Sequence, residues 1–464
     1  MYETVPFLGA KMKKITKPLK QIEIFIGTQE INESANYRWN NMLIKEKVDN
    51  GYLIYNSITK EMLFLTEEET ELAEKSIAPI SLNYLSEYLL KNWFLVPIDF
   101  SEVLTVEQLR NVLRLYESKD VPITHYTILT TTGCNARCFY CFQAGVPVKI
   151  MDDKTALDVA KYIVKKSKGK SVTLHWFGGE PLCNCNAIRV ICNYLNEKSV
   201  KFESVMTSNS TIFSQSLVDE AVNSWNLKTI QITIDGLAPT YNKAKNFIDK
   251  KAYNFDRLIR NMEIICKFDI NTQVRLNMDL YNSDELWELV DFLNKKFGHY
   301  EKFSLYVSPI YEDVGFEAIV RTDEQRAELN EKLRALWDYL FSLKSNTREM
   351  HFNVIKTRAC HADKPETTII VPDGHLCYCE HYISSEFYGT IYDDSPKMKW
   401  CEYRSLQKEC YNCAAFSSCL LMAKCPNAMK PCYDFDRYIK IVHLRTGMIN
   451  KYNRYLQKGE KQCE

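Results

Sequence analysis

Three cysteines in a C-x3-C-x2-C spacing carry the strongest chemical signal in this sequence. Cys134, Cys138 and Cys141 fall on one short stretch, with Tyr140 just before the third cysteine. Three thiolates so close together can hold three irons of an iron–sulfur cube and leave the fourth iron open. A structural zinc site normally takes a fourth protein ligand, and the nearest histidine, His125, lies back in the preceding apolar run. Ordinary buried cysteines and half a zinc site are the alternatives.

Alternating strand and helix patterns along residues 122–345 must position this stretch. Strands are predicted at 125–132, 171–177, 201–207, 229–235, 271–279 and 302–308. Helices are predicted at 152–167, 186–198, 214–225, 254–268, 283–297 and 322–343. Six such units indicate an α/β fold, a partial (β/α)6 TIM-type barrel around a parallel sheet. The active site of such a barrel lies at the C-terminal ends of the strands, and the three cysteines follow the first strand.

The turns after the next strands complete a pattern that resembles the radical S-adenosylmethionine (SAM) superfamily. The second strand ends in Gly-Gly-Glu-Pro, and glycines let backbone carbonyls approach a ligand closely. The third strand ends in a Thr-Ser-Asn-Ser turn, where Ser210 stands in the usual place of a glycine. The resemblance implies SAM contacts from the following residues: Tyr140, Gly178, Gly179, Glu180, Pro181, Asn209 and Thr233.

The same resemblance implies an activity. In the superfamily, the open iron chelates the amino and carboxylate groups of SAM. One electron from the cluster cleaves SAM to methionine and a 5′-deoxyadenosyl radical, which abstracts hydrogen from a substrate. The implied cofactors are SAM and a [4Fe-4S] cluster bound by Cys134, Cys138 and Cys141. The protein itself would bind, orient and exclude water, and the sequence assigns no general acid or base.

The C-terminal part of the chain is a second cysteine-rich region. Ten of the seventeen cysteines occur from Cys360 onward. Disulfides do not persist in the cytosol, so clustered cysteines there indicate metal or cluster binding. The spacing resembles the SPASM extension of radical SAM enzymes, which holds two auxiliary [4Fe-4S] clusters. It departs from that pattern once, with five residues rather than three before Cys425.

The resemblance assigns these cysteines to two auxiliary clusters. The second cluster lacks an obvious fourth ligand, for which Cys377, His361 or an open iron are candidates. Two zinc sites are the alternative chemistry, because sets of thiolates suit both metals. Cys410, Cys413, Cys419 and Cys432 would bind one cluster, and Cys360, Cys379 and Cys425 would contribute to the other.

The first hundred residues form a small α+β, winged-helix-like pattern. Strands are predicted at 52–58 and 61–66, a helix from Thr66 to about Glu74, a second helix at 81–93 and an extended segment at 94–97. This order resembles the leader-peptide recognition domain of peptide-modifying enzymes, which adds a peptide to a sheet edge. A purely structural addition to the barrel is the alternative. The predicted domains are 1–100, a linker helix at 101–121, the barrel at 122–345 and the SPASM-type domain with a closing helix at 346–464.

Composition restricts the possible partners. The 464 residues carry 59 Lys+Arg against 59 Asp+Glu, so there is no electrostatic footprint for nucleic acid or an anionic membrane. The chain shows no secretory signal and no apolar run long enough for a transmembrane helix. We therefore expect a cytoplasmic protein without nucleic-acid or membrane partners.

Together these patterns predict a radical SAM/SPASM enzyme that modifies a ribosomally made peptide. The expected modification is a thioether or carbon–carbon crosslink, an auxiliary cluster taking back one electron as the bond forms. The implied partners are a precursor peptide with a leader and a flavodoxin- or ferredoxin-type electron donor. An anaerobic sulfatase-maturating enzyme, which makes formylglycine, is one alternative. A non-enzymatic iron–sulfur electron carrier or scaffold is the alternative from another class.

Overall fold

The computed structural model divides the chain into two compact units. It describes residues 4–7, 10–16, 27–32, 35–75, 83–115, 121–312, 319–343, 355–393, 402–425 and 434–460. The terminal unit consists of Met1–Ser118, Arg348–Ala359 and Glu402–Glu464. The central unit consists of Lys119–Thr347 and Cys360–Cys401. The domain borders near residues 100, 121 and 345 stay predictions.

The described strands and helices follow one another along the whole chain. The strands are β1 (Thr4–Phe7), β2 (Ala10–Thr16), β3 (Tyr37–Trp39), β4 (Leu43–Val48), β5 (Gly51–Asn56), β6 (Met62–Thr66), β7 (Leu95–Pro97), β8 (His125–Thr131), β9 (Val172–Gly178), β10 (Phe202–Ser208), β11 (Leu227–Ile234), β12 (Asn271–Met278), β13 (Phe303–Pro309), β14 (Thr367–Ile370), β15 (His375–Cys377) and β16 (Phe387–Thr390). The α-helices are α1 (Glu67–Lys75), α2 (Tyr84–Lys91), α3 (Glu102–Leu115), α4 (Asp153–Ser167), α5 (Cys185–Glu197), α6 (Gln215–Asn223), α7 (Ala238–Lys245), α8 (Phe255–Ile265), α9 (Glu285–Phe297), α10 (Asp323–Ser342) and α11 (Asp434–Glu460).

The terminal unit is built on a five-stranded sheet in the order β1-β2-β6-β5-β4. All of its neighbouring strands are antiparallel, and β5 and β6 form the predicted hairpin. Helix α1 begins where predicted, because Thr66 and Glu69 exchange side-chain and backbone hydrogen bonds of 2.8 and 3.1 Å in a capping box. Strand β7 pairs with β3 in a separate two-stranded sheet rather than with the hairpin.

Both faces of this terminal sheet are covered. One face packs Ile54 and Leu63 against apolar residues of α1 and α2. The opposite face packs Tyr55 and neighbouring strand residues against Leu444 and Met448 of the predicted closing helix, α11. Because each face of a sheet presents alternate residues, this hairpin needs apolar residues at nearly every position. The N-terminal strands and the C-terminal helix therefore share one core.

The central unit is the predicted parallel α/β structure. Its sheet has the order β13-β12-β11-β10-β9-β8-β14-β15-β16, and β8 to β13 are parallel to their neighbours. Each predicted strand of the barrel corresponds to one of these six strands, which confirms the parallel α/β class. Strands β14 to β16, from the cysteine-rich region, extend the sheet beyond β8, and neither they nor α7 were predicted. No helix among the described residues is both long and apolar enough to cross a membrane.

Candidate active site

Backbone hydrogen bonds hold the three-cysteine loop against the turn after β9. The amide of Gly179 donates to the carbonyl of Thr131 at 3.1 Å, and the amide of Glu180 donates to the carbonyl of Gly133 at 3.0 Å. A Cβ atom on Gly178 would lie 2.1 Å from the Thr131 carbonyl oxygen. A Cβ on Gly179 would lie 2.3 Å from the Gly133 carbonyl oxygen. Only glycine therefore fits at either position. The close approach seen here is to the cysteine loop, and contact with SAM stays a prediction.

A cavity of about 410 Å³ lies where the cysteine loop meets these strand ends. Its size is that of a small-molecule site. Tyr140 and Pro181 lie elsewhere: Tyr140 is hydrogen-bonded to Asp235, and the buried Pro181 accepts a hydrogen bond from Thr130 at 3.1 Å. The other predicted site residues of the barrel all line the cavity: Cys134, Cys138, Cys141, Gly178, Gly179, Glu180, Asn209 and Thr233.

Glu180 joins the turns after β9 and β10. Its carboxylate accepts hydrogen bonds from the Ser208 hydroxyl and the Asn209 amide, both at 2.8 Å, and from the Leu182 amide at 3.2 Å. Burial raises the pKa of Glu180 to about 7, while the hydrogen bonds oppose that shift. The side-chain amide of Asn209 in turn donates to Asn135 in the cysteine loop at 2.7 Å. Three separate turns are thus tied together behind the cavity.

Ser210 takes the backbone conformation that a glycine would take in this turn. Its φ angle is +59°, in the left-handed region. Its amide donates to the Ser208 hydroxyl at 2.8 Å, and its carbonyl accepts from Asn261 at 2.8 Å. The replacement of the usual glycine therefore leaves the shape of the turn in place.

A buried lysine that the sequence analysis did not identify sits beneath Tyr140. The Lys245 ammonium donates to the Tyr140 hydroxyl at 2.9 Å and to Thr233 at 2.8 Å, and it lies 3.0 Å from an Asp235 oxygen. Tyr140 donates to the same carboxylate, and Asn277 donates to it at 3.0 Å. Lys245 is on the unpredicted helix α7, and only its nearness to the Asp-Gly turn after β11 could have drawn attention to it.

The residues around the cavity fit an iron–sulfur cluster bound by three thiolates. Burial raises the pKa of Cys134 and Cys141, and it raises that of Cys138 to about 11 against the opposing charge of Lys245. These are protonated thiols on their own, and metal binding displaces such protons. Three thiols therefore face one cavity at the C-terminal edge of a parallel sheet, which is where such folds bind ligands.

A comparison with protein families agrees with this arrangement. Residues 128–293 match the model described as the radical SAM superfamily. The chain carries a radical SAM domain. The matched residues begin in β8 and end in α9, so they contain the cysteine loop and the turns after β9 to β12.

Proteins similar to this chain include radical SAM enzymes. The radical SAM cyclopropyl synthase TigE of Paramaledivibacter caminithermalis is 23% identical over 189 residues, which cover 36% of this chain and 38% of TigE. The chain thus spans about two fifths of the length of that curated relative. Native anSMEcpe with bound AdoMet superposes with a TM-score of 0.55 at 17% identity, covering 71% of this chain and 99% of that one. SuiB of Streptococcus suis bound to SAM gives 0.50 at 16% identity, covering 87% and 97%. At 16–17% sequence identity, these two superpositions show a shared fold and nothing more.

Three of the predicted auxiliary-cluster cysteines lie in the terminal unit, around the two short 3-10 helices Lys408–Asn412 and Phe416–Ser418. Cys410 and Cys413 pack against an apolar cluster, and Cys419 follows the second of these helices. The fully buried Arg110 of α3 donates to the carbonyls of Phe416 and Cys419, both at 2.7 Å. Arg110 thereby fixes the backbone that carries Cys419. Cys432 lies outside the described residues, and Cys425 ends a described segment of the same unit.

The remaining predicted ligands lie in the central unit. Cys377 is fully buried in an apolar cluster on β15, which disfavours it as the missing ligand of the second cluster. Cys379 follows β15 and lies near His361, the other candidate. The adjacent Glu380 was not considered from the sequence, since a single glutamate carries no metal signal by itself. The hydrogen bond and charge of His361 bring the pKa of Glu380 below its ordinary value, although burial alone would raise it.

Proposed function

We propose that this protein is a radical SAM enzyme that modifies a ribosomally synthesised peptide by forming a thioether or carbon–carbon crosslink. The observation that carries the first half of this proposal is the convergence of Cys134, Cys138 and Cys141 on one cavity with Glu180. When bound there, a [4Fe-4S] cluster would supply the electron that cleaves SAM to methionine and a 5′-deoxyadenosyl radical, and an auxiliary cluster would accept the electron released as the crosslink forms.

The chain's own residues would bind and orient these groups. The three thiols would hold three irons, and the backbone of the Gly178–Gly179 turn would fix the cysteine loop beside SAM. Glu180, Asn209 and Thr233 line the same cavity and would face the polar parts of SAM. Lys245 would position Tyr140 and Thr233, because it donates a hydrogen bond to each of them and is held by its ion pair with Asp235.

Two observations support a peptide substrate. The structure of anSMEcpe that superposes at a TM-score of 0.54 contains a bound Cp18Cys peptide. The terminal unit offers the sheet edge of β4, whose residues alternate in exposure, to a strand added from a leader peptide. Hydrogen exchange should then show protection of the amides of Leu43–Val48 when the precursor is added. Unchanged exchange there would remove the leader-binding part of the proposal.

The C-terminal cysteines would supply auxiliary centres. Cys410, Cys413, Cys419 and Cys432 would supply the four thiolates of one auxiliary cluster. For the second predicted cluster, Cys360 and Cys379 belong to the central unit and Cys425 to the terminal unit, so this assignment stays a prediction. A flavodoxin- or ferredoxin-type protein in the cytoplasm would be the electron donor.

Mass spectrometry of a co-expressed candidate precursor tests the reaction. A crosslink removes two hydrogens per event, so the peptide should lose about 2 Da without gaining reactivity toward hydroxylamine. Oxidation of serine to formylglycine loses the same mass but creates an aldehyde that hydroxylamine traps, which would favour the sulfatase-maturating alternative. The Cys134/Cys138/Cys141→Ala variant is the control and should leave the precursor unmodified.

Formation of 5′-deoxyadenosine separates an enzyme from an electron carrier. Reduced, cluster-loaded protein should release 5′-deoxyadenosine from SAM, and the triple-alanine variant should not. If the wild type releases none, the radical mechanism is wrong and the carrier alternative stands.

A further inference from the structure

Three side chains with metal-binding atoms converge beside the central sheet, apart from the cysteine loop. Ligand atoms of His361, Cys379 and Glu380 all lie within 4.8 Å of one another. Among the described residues, this is the one group of at least three metal-binding side chains that lie so close together. The His361 Nε2 atom lies 2.8 Å from a Glu380 carboxylate oxygen. All three residues are partly buried, and the His361 side chain is 39% exposed, so an ion can reach the site from solvent.

The extended sheet fixes these three residues. The Thr367 hydroxyl, at the start of β14, donates to the His361 carbonyl at 2.5 Å. Cys379 stands two residues after β15 and begins the short 3-10 helix Glu380–Tyr382. Since β14 and β15 are paired, the two stretches are held at a set distance without any metal. A site with rigid supports of this kind needs little reorganisation to bind an ion.

The donor set selects a class of metal. One imidazole, one thiolate and one carboxylate together suit zinc, which takes nitrogen, sulfur and oxygen ligands in tetrahedral sites. Calcium and magnesium prefer oxygen ligands alone, so the thiol and imidazole disfavour them. Three protein ligands also leave a fourth position for water or an incoming group.

The spacing of the ligand atoms fits a single shared ion. Ligands that share one zinc ion sit on a sphere of about 2.0–2.3 Å radius and must therefore lie within about 4.6 Å of one another. His361, Cys379 and Glu380 approach this limit before any metal is bound.

The site adjoins the wall of the active-site cavity. The ring of His381, the residue after Glu380, lies 4.3 Å from the ring of Phe142, which lines that cavity. A metal ion at Cys379 would therefore lie close to the cavity along the short segment from Cys379 to His381, whose ring contacts Phe142.

We infer that His361, Cys379 and Glu380 bind a single zinc ion, at the position where the cysteine pattern predicts part of a second auxiliary cluster. This inference replaces the second predicted auxiliary cluster at Cys379, whereas SAM cleavage and the peptide substrate of the proposed function do not depend on it.

Metal analysis and zinc K-edge absorption of the intact protein test this inference. Cells are grown with added zinc, and the protein is purified and reconstituted without oxygen. The wild type should contain about one zinc per chain, with one sulfur at about 2.3 Å and the other ligands nitrogen or oxygen. Cys379→Ser, His361→Asn and Glu380→Gln should each reduce the zinc content to near zero.

A second histidine–carboxylate pair provides the matched control. His375 Nδ1 lies 2.9 Å from Asp373, with no cysteine in that pair, so His375→Asn should leave the zinc content unchanged. Wild-type protein without zinc, or zinc with no sulfur ligand, would overturn the inference. Loss of about four irons in Cys379→Ser would show a cluster there instead. The iron bound by the cysteine loop reports folding, because it should be equal in all four variants.

Discussion

At the scale of single residues, the ion pair between Lys245 and Asp235 matters most for the site. Their side chains are 3% and 0% exposed. Breaking a buried pair leaves one charge unpaired in a medium that solvates it poorly. These two residues also anchor Tyr140 next to Cys141, so stability and cavity shape depend on the same contact.

Lys245→Met should lower the free energy of unfolding by about 3–5 kcal/mol, because Asp235 loses its cation. Urea denaturation of the variant measures this change. The double variant Lys245→Met/Asp235→Asn removes both charges and should recover part of the loss. If the double variant is less stable than the sum of both single variants, the pair is not the cause.

His175 predicts a pH dependence of stability. Burial lowers the pKa of His175 to about 4, with the charge of Glu380 opposing the shift. The unfolded chain, with a pKa near 6.5, therefore takes up the proton first as the pH falls. The stability that the neutral His175 allows the folded state at neutral pH should therefore be lost as the pH falls from about 6.5 to 4.

The variant His175→Gln removes the titrating group. Its amide can still hydrogen-bond Thr207, which lies 2.9 Å from His175. From about pH 7.5 to 5.5 the wild type should lose roughly 1 kcal/mol more stability than the variant. Unfolding curves at the two pH values measure the difference. Parallel pH profiles for the two proteins would contradict the assignment to His175.

At the scale of elements, the turn after β9 decides where the cysteine loop lies. Gly179→Ala would place a methyl group 2.3 Å from the Gly133 carbonyl oxygen and 2.7 Å from that of Thr132. The loop must then move, and we expect the variant to hold about four fewer irons after reconstitution, the content of one cluster. Gly145→Ala is the control, because its Cβ meets nothing within 4 Å although its φ is +80°. Equal iron contents would show that the contact does not hold the loop.

The turn after β10 contains a correctable defect. Ser210 has a φ of +59°, and no hydrogen-bond partner for its buried hydroxyl is found among the described residues. Ser210→Gly removes the strain and the unpartnered hydroxyl and should raise the free energy of unfolding by roughly 1 kcal/mol. Ser210→Ala removes only the hydroxyl and should give a smaller gain. A loss of stability with glycine would mean that the hydroxyl has a partner in solution.

At the scale of the whole molecule, both units bring distant parts of the chain together. In the terminal unit, Arg110 connects α3 with Lys356 and with the loop that carries Cys419. In the central unit, β14 pairs with β8 although their sequences are far apart. The cysteine-rich region is therefore divided between the two units rather than forming a unit of its own.

Total iron tests the clusters across the molecule. With one cluster at the cysteine loop and one at Cys410, Cys413, Cys419 and Cys432, the reconstituted protein should hold about eight irons. The Cys134/Cys138/Cys141→Ala variant should hold about four. Iron and sulfide assays measure both proteins. About twelve irons in the wild type would support the second auxiliary cluster. A wild type without iron would contradict the proposed mechanism.

Local sequence patterns were enough to predict the parallel α/β domain and eight of the residues that line its cavity. Hydrophobic periodicity indicated the six strands, because buried residues alternate with less buried ones along strands such as β9, β10 and β11. The cysteine spacing and the Gly178–Gly179 turn are local signals, since tight backbone geometry tolerates few residue types. Both could be found without knowing any long-range contact.

Which distant residues meet depends on how the elements pack. Lys245 and Asp235 are separated by a helix whose pattern is weak, and their pairing depends on how α7 packs. The extension of the sheet by β14 to β16 depends on an edge of β8 that only the folded barrel exposes. His361 joins Cys379 and Glu380 for the same reason, because strand pairing brings its distant segment to them and no local spacing encodes it.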